Sequence, residues 1–170
     1  GSNSMWGQID GVAKIGIAQS AIGDMLETLD PAQQLGLTAY GHRVEADCGD
    51  IQTLVMPGAD TRAAIARTVN RISPRGRTPL SDAVQQAARD LNYAQAPATV
   101  ILVTDGLENC GQDPCAVGRA LEDAGQDFTA HVIGFDVSEE DRPSLQCLAD
   151  ATGGSFLSAS DAAELGLALT

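Results

Sequence analysis

Apolar positions along the chain fall into two spacings that follow one another from end to end. Ile15, Ala18, Ile22, Leu26 and Leu29 recur every three or four residues, which predicts an amphipathic helix over about residues 12–29, ended by Pro31. Leu35–His42 and Asp50–Met56 read as short strands joined by a Gly, Asp and Cys connection, the pattern of a hairpin with one strand running against the other. Ile65, Val69 and Ile72 place a second helix over Arg62–Ile72. Pro79 stands where a first helical residue is tolerated, and Leu80, Ala83, Val84, Ala87 and Leu91 mark a third helix behind it.

The β-branched run Thr99–Thr104 has the composition of a parallel strand covered on both faces. A helix over Pro114–Ala124, a strand over Phe128–Phe135, a helix over Pro143–Thr152, a short strand over Ser155–Ser158 and a last helix from Asp161 complete the series. Such alternation predicts a three-layer α/β/α domain, a doubly wound and mostly parallel Rossmann-like sheet with one antiparallel edge strand. The chain shows no internal repeat, low-complexity stretch or linker, so residues 1–170 are expected to form a single domain.

Composition narrows the function. The 170 residues are 44% hydrophobic, enough for one ordinary core, and no apolar run approaches the length that crosses a bilayer. Ten basic residues, with Lys14 the only lysine, against 23 acidic ones give a net charge of −13. That charge repels phosphate backbones and anionic lipid surfaces, which argues against nucleic acid as a partner and against direct membrane insertion.

Cys48, Cys110, Cys115 and Cys147 lack paired metal-ligand spacing, and only His42 and His131 could assist them. An even count suits two disulfides and hence the periplasm or the cell exterior, with any signal or anchor outside this chain; four buried thiols are the alternative. A Gly-rich phosphate loop, a Gly-x-Ser-x-Gly elbow, a His-Glu-x-x-His helix and a Ser-His-Asp set are all missing from the sequence, which leaves an enzyme without a nucleophile or base.

In a doubly wound sheet, chemistry gathers at the carboxyl ends of the parallel strands. Three segments there carry candidate groups: Gly1-Ser2-Asn3-Ser4-Met5-Trp6-Gly7, Arg75-Gly76-Arg77-Thr78-Pro79-Leu80 and Val103-Thr104-Asp105-Gly106. Each has an ordinary reading. Ser2 and Ser4 could satisfy backbone donors at a helix start, Thr78 could cap the helix behind it, and Asp105-Gly106 could be a strand-ending turn.

Taken together the segments resemble the metal-ion-dependent adhesion site (MIDAS) of the von Willebrand factor type A domain, whose pattern is Asp-x-Ser-x-Ser, a distant Thr and a later Asp-Gly. Ser2 and Ser4 match the serines, Thr78 the threonine and Asp105 the second aspartate. The stretches Met5–Gly11 and Asp105–Cys110, with Asp113-Pro114-Cys115, look like a bacterial branch of that family.

The resemblance implies a binding module rather than an enzyme. Ser2, Ser4, Thr78 and Asp105 would hold Mg²⁺, or Mn²⁺ or Ca²⁺, mostly through neutral oxygens, so that residual positive charge attracts an exposed Asp or Glu of a partner protein. Trp6, Arg75, Arg77, Asp82 and Glu108 are candidates for the surrounding shell or the ligand face, and His42 and Arg43 for its edge. The family's first aspartate and central first strand would precede Gly1. Three accounts of that are open: residues upstream, a cloning remnant at Gly1-Ser2 on a truncated chain, or a strand from another chain.

The implied topology sets Cys48 and Cys147 near opposite edges of the sheet, which favours Cys48–Cys110 and Cys115–Cys147 over a local Cys110–Cys115 bridge. A structural interaction module of the same fold with a non-functional metal site, and a thiol redox protein using Cys110 and Cys115, are the competing functions.

Overall fold

The helices arise where the apolar spacing places them, and they pack on both sides of strands that among the described residues form a parallel three-strand sheet and two antiparallel pairs. The computed structural model describes residues 2–161 together with Ala163, Glu164 and Leu167. After a 3-10 turn at Asn3–Trp6, the order is β1 (Gln8–Ile9), β2 (Val12–Ala13), α1 (Lys14–Thr28), β3 (Leu35–Tyr40), β4 (Ile51–Gly58), α2 (Arg62–Val69), α3 (Leu80–Asp90), β5 (Ala98–Thr104), α4 (Pro114–Ala124), β6 (Phe128–Phe135), α5 (Arg142–Asp150) and β7 (Phe156–Ala159). Most of the helix expected from Asp161 lies outside the described residues.

Boundaries differ from the sequence expectations for local reasons. The first helix loses its opening residues to the β1–β2 hairpin, whose two-residue turn Asp10-Gly11 has positive φ at both positions (51° and 81°), the conformation that Asp-Gly favours. The second helix ends at Val69 because Arg71 and Ile72 donate back to Thr68 and Val69, closing a tighter turn. β3 stops at Tyr40 because Gly41 adopts φ 59° and turns the chain. β4 runs through Pro57, which an edge strand tolerates.

β5, β6 and β7 form a parallel sheet in that order, whereas β3 pairs antiparallel with β4. The alternation of β6 supplies both faces of the core. Phe128, Ala130 and Val132 pack with Val84 of α3, Leu121 of α4 and Leu145 of α5. Ile133 and Phe135 face the other way, against Met5 and against Ile17, Ala18 and Ala21 of α1. Leu26 of α1 then joins Ile65 and Val69 of α2 over β3 and β4. These three clusters make the α/β/α layering.

Among the described residues, β3 and β5 each carry one paired edge and face each other across a cavity of about 300 Å³ lined by Leu35–Tyr40 and Thr99–Asp105. At one end of this slot Tyr40 and Thr104, the last residues of β3 and β5, share a hydrogen bond, and Ser2 and Asp105 also line it.

Candidate functional site

Three loops converge at the carboxyl end of β5, and a glycine decides how closely they approach. Ser2 forms an isolated parallel bridge with Gly76, and the Asn3 amide donates to the Gly76 carbonyl at 3.3 Å. The amides of Arg75 and Gly76 both donate to the Gly41 carbonyl at 2.9 Å. A Cβ on Gly76 would stand 2.6 Å from the Val44 carbonyl oxygen and 3.1 Å from the Gly41 Cα. The backbone contact that delivers Ser2 therefore requires glycine at this place.

Asp105 leaves β5 with its side chain 1% exposed. Thr104 donates its hydroxyl to the Gly106 carbonyl at 2.9 Å, which folds the chain back immediately after the strand. Oδ1 of Asp105 accepts from Ser4 Oγ at 2.7 Å and from Ser2 Oγ at 3.1 Å, and the two hydroxyls are 2.6 Å apart. Ser2, Ser4 and Asp105 thus form one cluster in which the serines face the carboxylate instead of capping a helix. Oδ2 of Asp105 is buried and accepts no hydrogen bond among the described residues. A buried anionic oxygen without a donor calls for a positive partner.

Thr78 is buried and reaches the same group of loops through Asn109. Its amide donates to Asn109 Oδ1 at 2.8 Å and its carbonyl accepts from the Asn109 amide at 3.3 Å. It makes no hydrogen bond to Ser2, Ser4 or Asp105 among the described contacts. It is also not the cap of α3: Pro79 holds that position, with no side-chain hydrogen bond, and α3 starts at Leu80. The donor at its first turn, the Ser81 amide, is met by Glu108 Oε2 at 2.9 Å, while Glu108 Oε1 accepts from the Cys110 amide at 2.9 Å. Glu108 is accordingly an anchor between α3 and its own loop. Asp82 accepts from Gln112 at 3.2 Å and does not touch the serine cluster.

The rim is aromatic and basic. Trp6 is 52% exposed, with its indole N–H on the Pro74 carbonyl at 2.8 Å. Arg75 and Arg77 are exposed, and Arg77 donates to the Asn109 carbonyl at 3.3 Å. Arg43 is drawn to Asp50, which is buried and accepts from the Arg43 amide, the Val44 amide and Arg43 Nε. Burial alone would raise the Asp50 carboxyl, but these hydrogen bonds from Val44 and Arg43 outweigh it and hold the group at about 2. His42 beside it is half-buried, and burial lowers its imidazole below the usual histidine range. His131, paired with Ile101 in the middle of β5, accepts the Ser155 amide at 3.1 Å and acts as a strand tie.

The structure joins Cys48 to Cys110 and Cys115 to Cys147, not Cys110 to Cys115. The first bridge, with a Cα separation of 5.6 Å, ties the loop after β3 to the loop after Asp105. The second links α4 to α5. All four cysteines are paired, so thiol chemistry finds no free sulfur here.

Sequence reasoning passed over Lys14, Tyr40 and Asp136. The Lys14 ammonium lies 2.8 Å from Asp136 and 3.6 Å from Asp105 Oδ2. Tyr40 is buried, and burial foremost, then the charges of Asp105 and Glu108, drive its hydroxyl well above the usual tyrosine range despite the bond to Thr104. One signal was legible: a lone lysine at the start of a helix, where a cation is disfavoured.

The donor set consists of hydroxyl and carboxylate oxygens, and among the described residues no group of three or more His, Cys, Asp or Glu is arranged to hold a metal ion. Hard oxygen-seeking divalent cations fit such a set, and Asp105 Oδ2, which accepts no hydrogen bond among the described residues but has the Lys14 ammonium 3.6 Å away, is where one would be drawn.

Comparison with known proteins agrees with this reading of the fold. A family model of the von Willebrand factor type A domain matches residues 1–108. Two relatives from Bacillus subtilis (strain 168) are described as uncharacterized: YwmC is 28% identical over 168 residues, 93% of this chain and 73% of its own, and YwmD is 27% identical over 173 residues, 96% and 77%. Among solved structures, the von Willebrand factor type A protein from Catenulispora acidiphila matches with a TM-score of 0.66 at 24% identity, over 92% of this chain and 36% of that one. Proximal thread matrix protein 1 from the mussel byssus, in a form with a zinc-occupied MIDAS motif, gives 0.70 at 16% identity, over 99% and 41%. This chain therefore spans well under half the length of those two solved chains. With the family model matched over more than half its length and its helices layered on both sides of the sheet, the chain belongs to the von Willebrand factor type A domain family.

Proposed function

We propose that this domain is a divalent-cation-dependent protein-binding module. Ser2, Ser4, Thr78 and Asp105 would hold the ion, with Mg²⁺ favoured and Mn²⁺ or Ca²⁺ as substitutes, and an Asp or Glu of the partner would complete its shell. The observation that carries this reading is the carboxylate of Asp105: Oδ1 accepts from two serine hydroxyls while buried Oδ2 accepts no hydrogen bond among the described residues and has only the Lys14 ammonium at 3.6 Å beside it. Neutral hydroxyls leave the cation incompletely neutralised, so it attracts a further anionic oxygen. Exposed Arg75 and Arg77 add local positive potential to a chain of net charge −13, and exposed Trp6 offers an apolar contact beside it. Two disulfides support a periplasmic or extracellular setting. No helix among the described residues is long and apolar enough to cross a membrane.

The same reading treats residues 1–170 as one domain and the slot between β3 and β5 as the seat of a further central strand. Support comes from two facing strand edges and an apolar lining, a place where unpaired backbone groups are costly.

A structural interaction module without a working metal site is the second reading, and the Lys14 ammonium beside Asp105 favours it. Thermal unfolding in the presence of MgCl₂ or MnCl₂ separates the two. The cation-dependent module melts several degrees higher with the ion, and Asp105→Ala loses that shift. No shift in the parent protein overturns the cation reading.

A further inference from the structure

Lys14 occupies the first position of α1, where the positive end of the helix dipole disfavours a cation, and its side chain is only 12% exposed. Its amide donates to the Gly7 carbonyl at 2.8 Å, and its Cε passes so near Gly7 that an added Cβ there would stand 3.3 Å away. The stem is thus fixed under the N-terminal turn and the ammonium is presented to two carboxylates. Asp136 Oδ2 lies at 2.8 Å, within hydrogen-bond distance, and Asp105 Oδ2 at 3.6 Å, beyond it. Asp136 is itself positioned by its backbone: it follows β6 with φ 54°, and its amide donates to Ala159 at 2.7 Å.

We propose that Lys14 is a built-in competitor for the cation site, a positioning and selectivity residue that sets how tightly Asp105 can hold a divalent ion. This rests on the cation reading given above. The ammonium already offsets part of the Asp105 charge, and it repels a doubly charged ion drawn to the same oxygen. Asp136 serves as its second seat: at 2.8 Å it holds the ammonium more closely than Asp105 does at 3.6 Å, which limits that repulsion. Occupancy then depends on the additional anionic oxygen of a bound partner, so Lys14 couples cation binding to ligand binding.

The test is titration calorimetry of MnCl₂ into the wild-type protein, Lys14→Met, Lys14→Arg, Asp136→Asn and Asp105→Asn, with thermal unfolding of each protein without added ion as the check on folding. Lys14→Met should lower the Kd for Mn²⁺ roughly tenfold or more, and Lys14→Arg, which keeps the charge, should stay near the wild-type value. Asp136→Asn, at a half-exposed position that tolerates the change, should raise the Kd severalfold because the ammonium then turns wholly to Asp105. An unchanged or higher Kd in a folded Lys14→Met protein overturns the proposal while leaving the cation reading intact; an unchanged Kd in Asp136→Asn does the same if Lys14→Met fails to fold. Absence of Mn²⁺ binding in the wild-type and Lys14→Met proteins alike removes the cation reading and this proposal with it.

Discussion

Ser4 donates a 2.7 Å hydrogen bond to Oδ1 of Asp105, a residue 101 positions later in the chain. Ser2 converges on the same oxygen, so the N-terminal turn and the end of β5 are held together by two hydroxyls on one buried carboxylate. The bonds are charge-assisted, and the one from Ser2 is buried while that from the exposed Ser4 is partly so; the charge on the acceptor makes them worth more than neutral surface bonds. Ser4→Ala should lower stability by about 2 kcal/mol in urea denaturation and also weaken Mn²⁺ binding. A variant that loses affinity but keeps its urea midpoint would show that Ser4 contributes to the ion alone.

Gly76 is the second structural condition for the site. A methyl group there would meet backbone, the Val44 carbonyl oxygen at 2.6 Å, and backbone cannot swing aside as a flexible side chain can. Gly76→Ala should cost about 1–3 kcal/mol and shift Ser2 away from Asp105. Hydrogen exchange of the Asn3 amide, which bonds the Gly76 carbonyl, reads the displacement directly.

The Cys48–Cys110 bridge closes a loop with a sequence separation of 62 and braces the chain segment that follows Asp105. Replacing both cysteines by serine should lower stability by roughly 2–4 kcal/mol, and the loss should appear first as faster exchange in the loop of Glu108 and Asn109. The Cys115–Cys147 pair joins α4 and α5 away from the serine cluster, so its removal should reduce stability without changing Mn²⁺ affinity.

Asp50 gives the acid side of the stability profile. Its folded value of about 2 lies below the ordinary 3.8, so the carboxylate stabilises the folded state above the unfolded value. That contribution is lost as pH falls through 3.8 toward 2, and its size is about 2 kcal/mol. The stability gap between wild-type protein and Asp50→Asn, measured by denaturant titration from pH 6 to pH 2, should therefore narrow by that amount. A constant gap would mean that Asp50 acts through shape alone.

Much of the secondary structure was legible because it depends on periodicity. The β-branched run of β5 and the recurrence of Leu80, Val84 and Ala88 on one face of α3 need no distant contact to be recognised. The expectation that β5 is covered on both faces is corrected: Val100 and Leu102 are buried on one face, whereas Ile101 between them is 43% exposed because it lines the slot beside β3. Asp10-Gly11 was an equally local signal, a two-residue hairpin turn, yet the helical spacing beyond it drew the predicted helix over Val12-Ala13, the returning strand of that hairpin. The ends of α2 and β3 were less legible because they depend on which backbone donors find acceptors in the turns that follow.

The sequence by itself determined the α/β alternation, the acidic surface, and the residue types of the site: two hydroxyls one residue apart, a threonine before a helix and a carboxylate after a buried strand. Only the tertiary structure decided that Ser2 and Ser4 share one oxygen of Asp105, that Thr78 is attached through Asn109, that Glu108 is engaged by backbone amides, and that Lys14 faces the site. The reason is physical. Helix and strand periods act over a few residues, whereas hydrogen bonds and charge pairs act over a few ångströms between segments whose meeting depends on how the layers close.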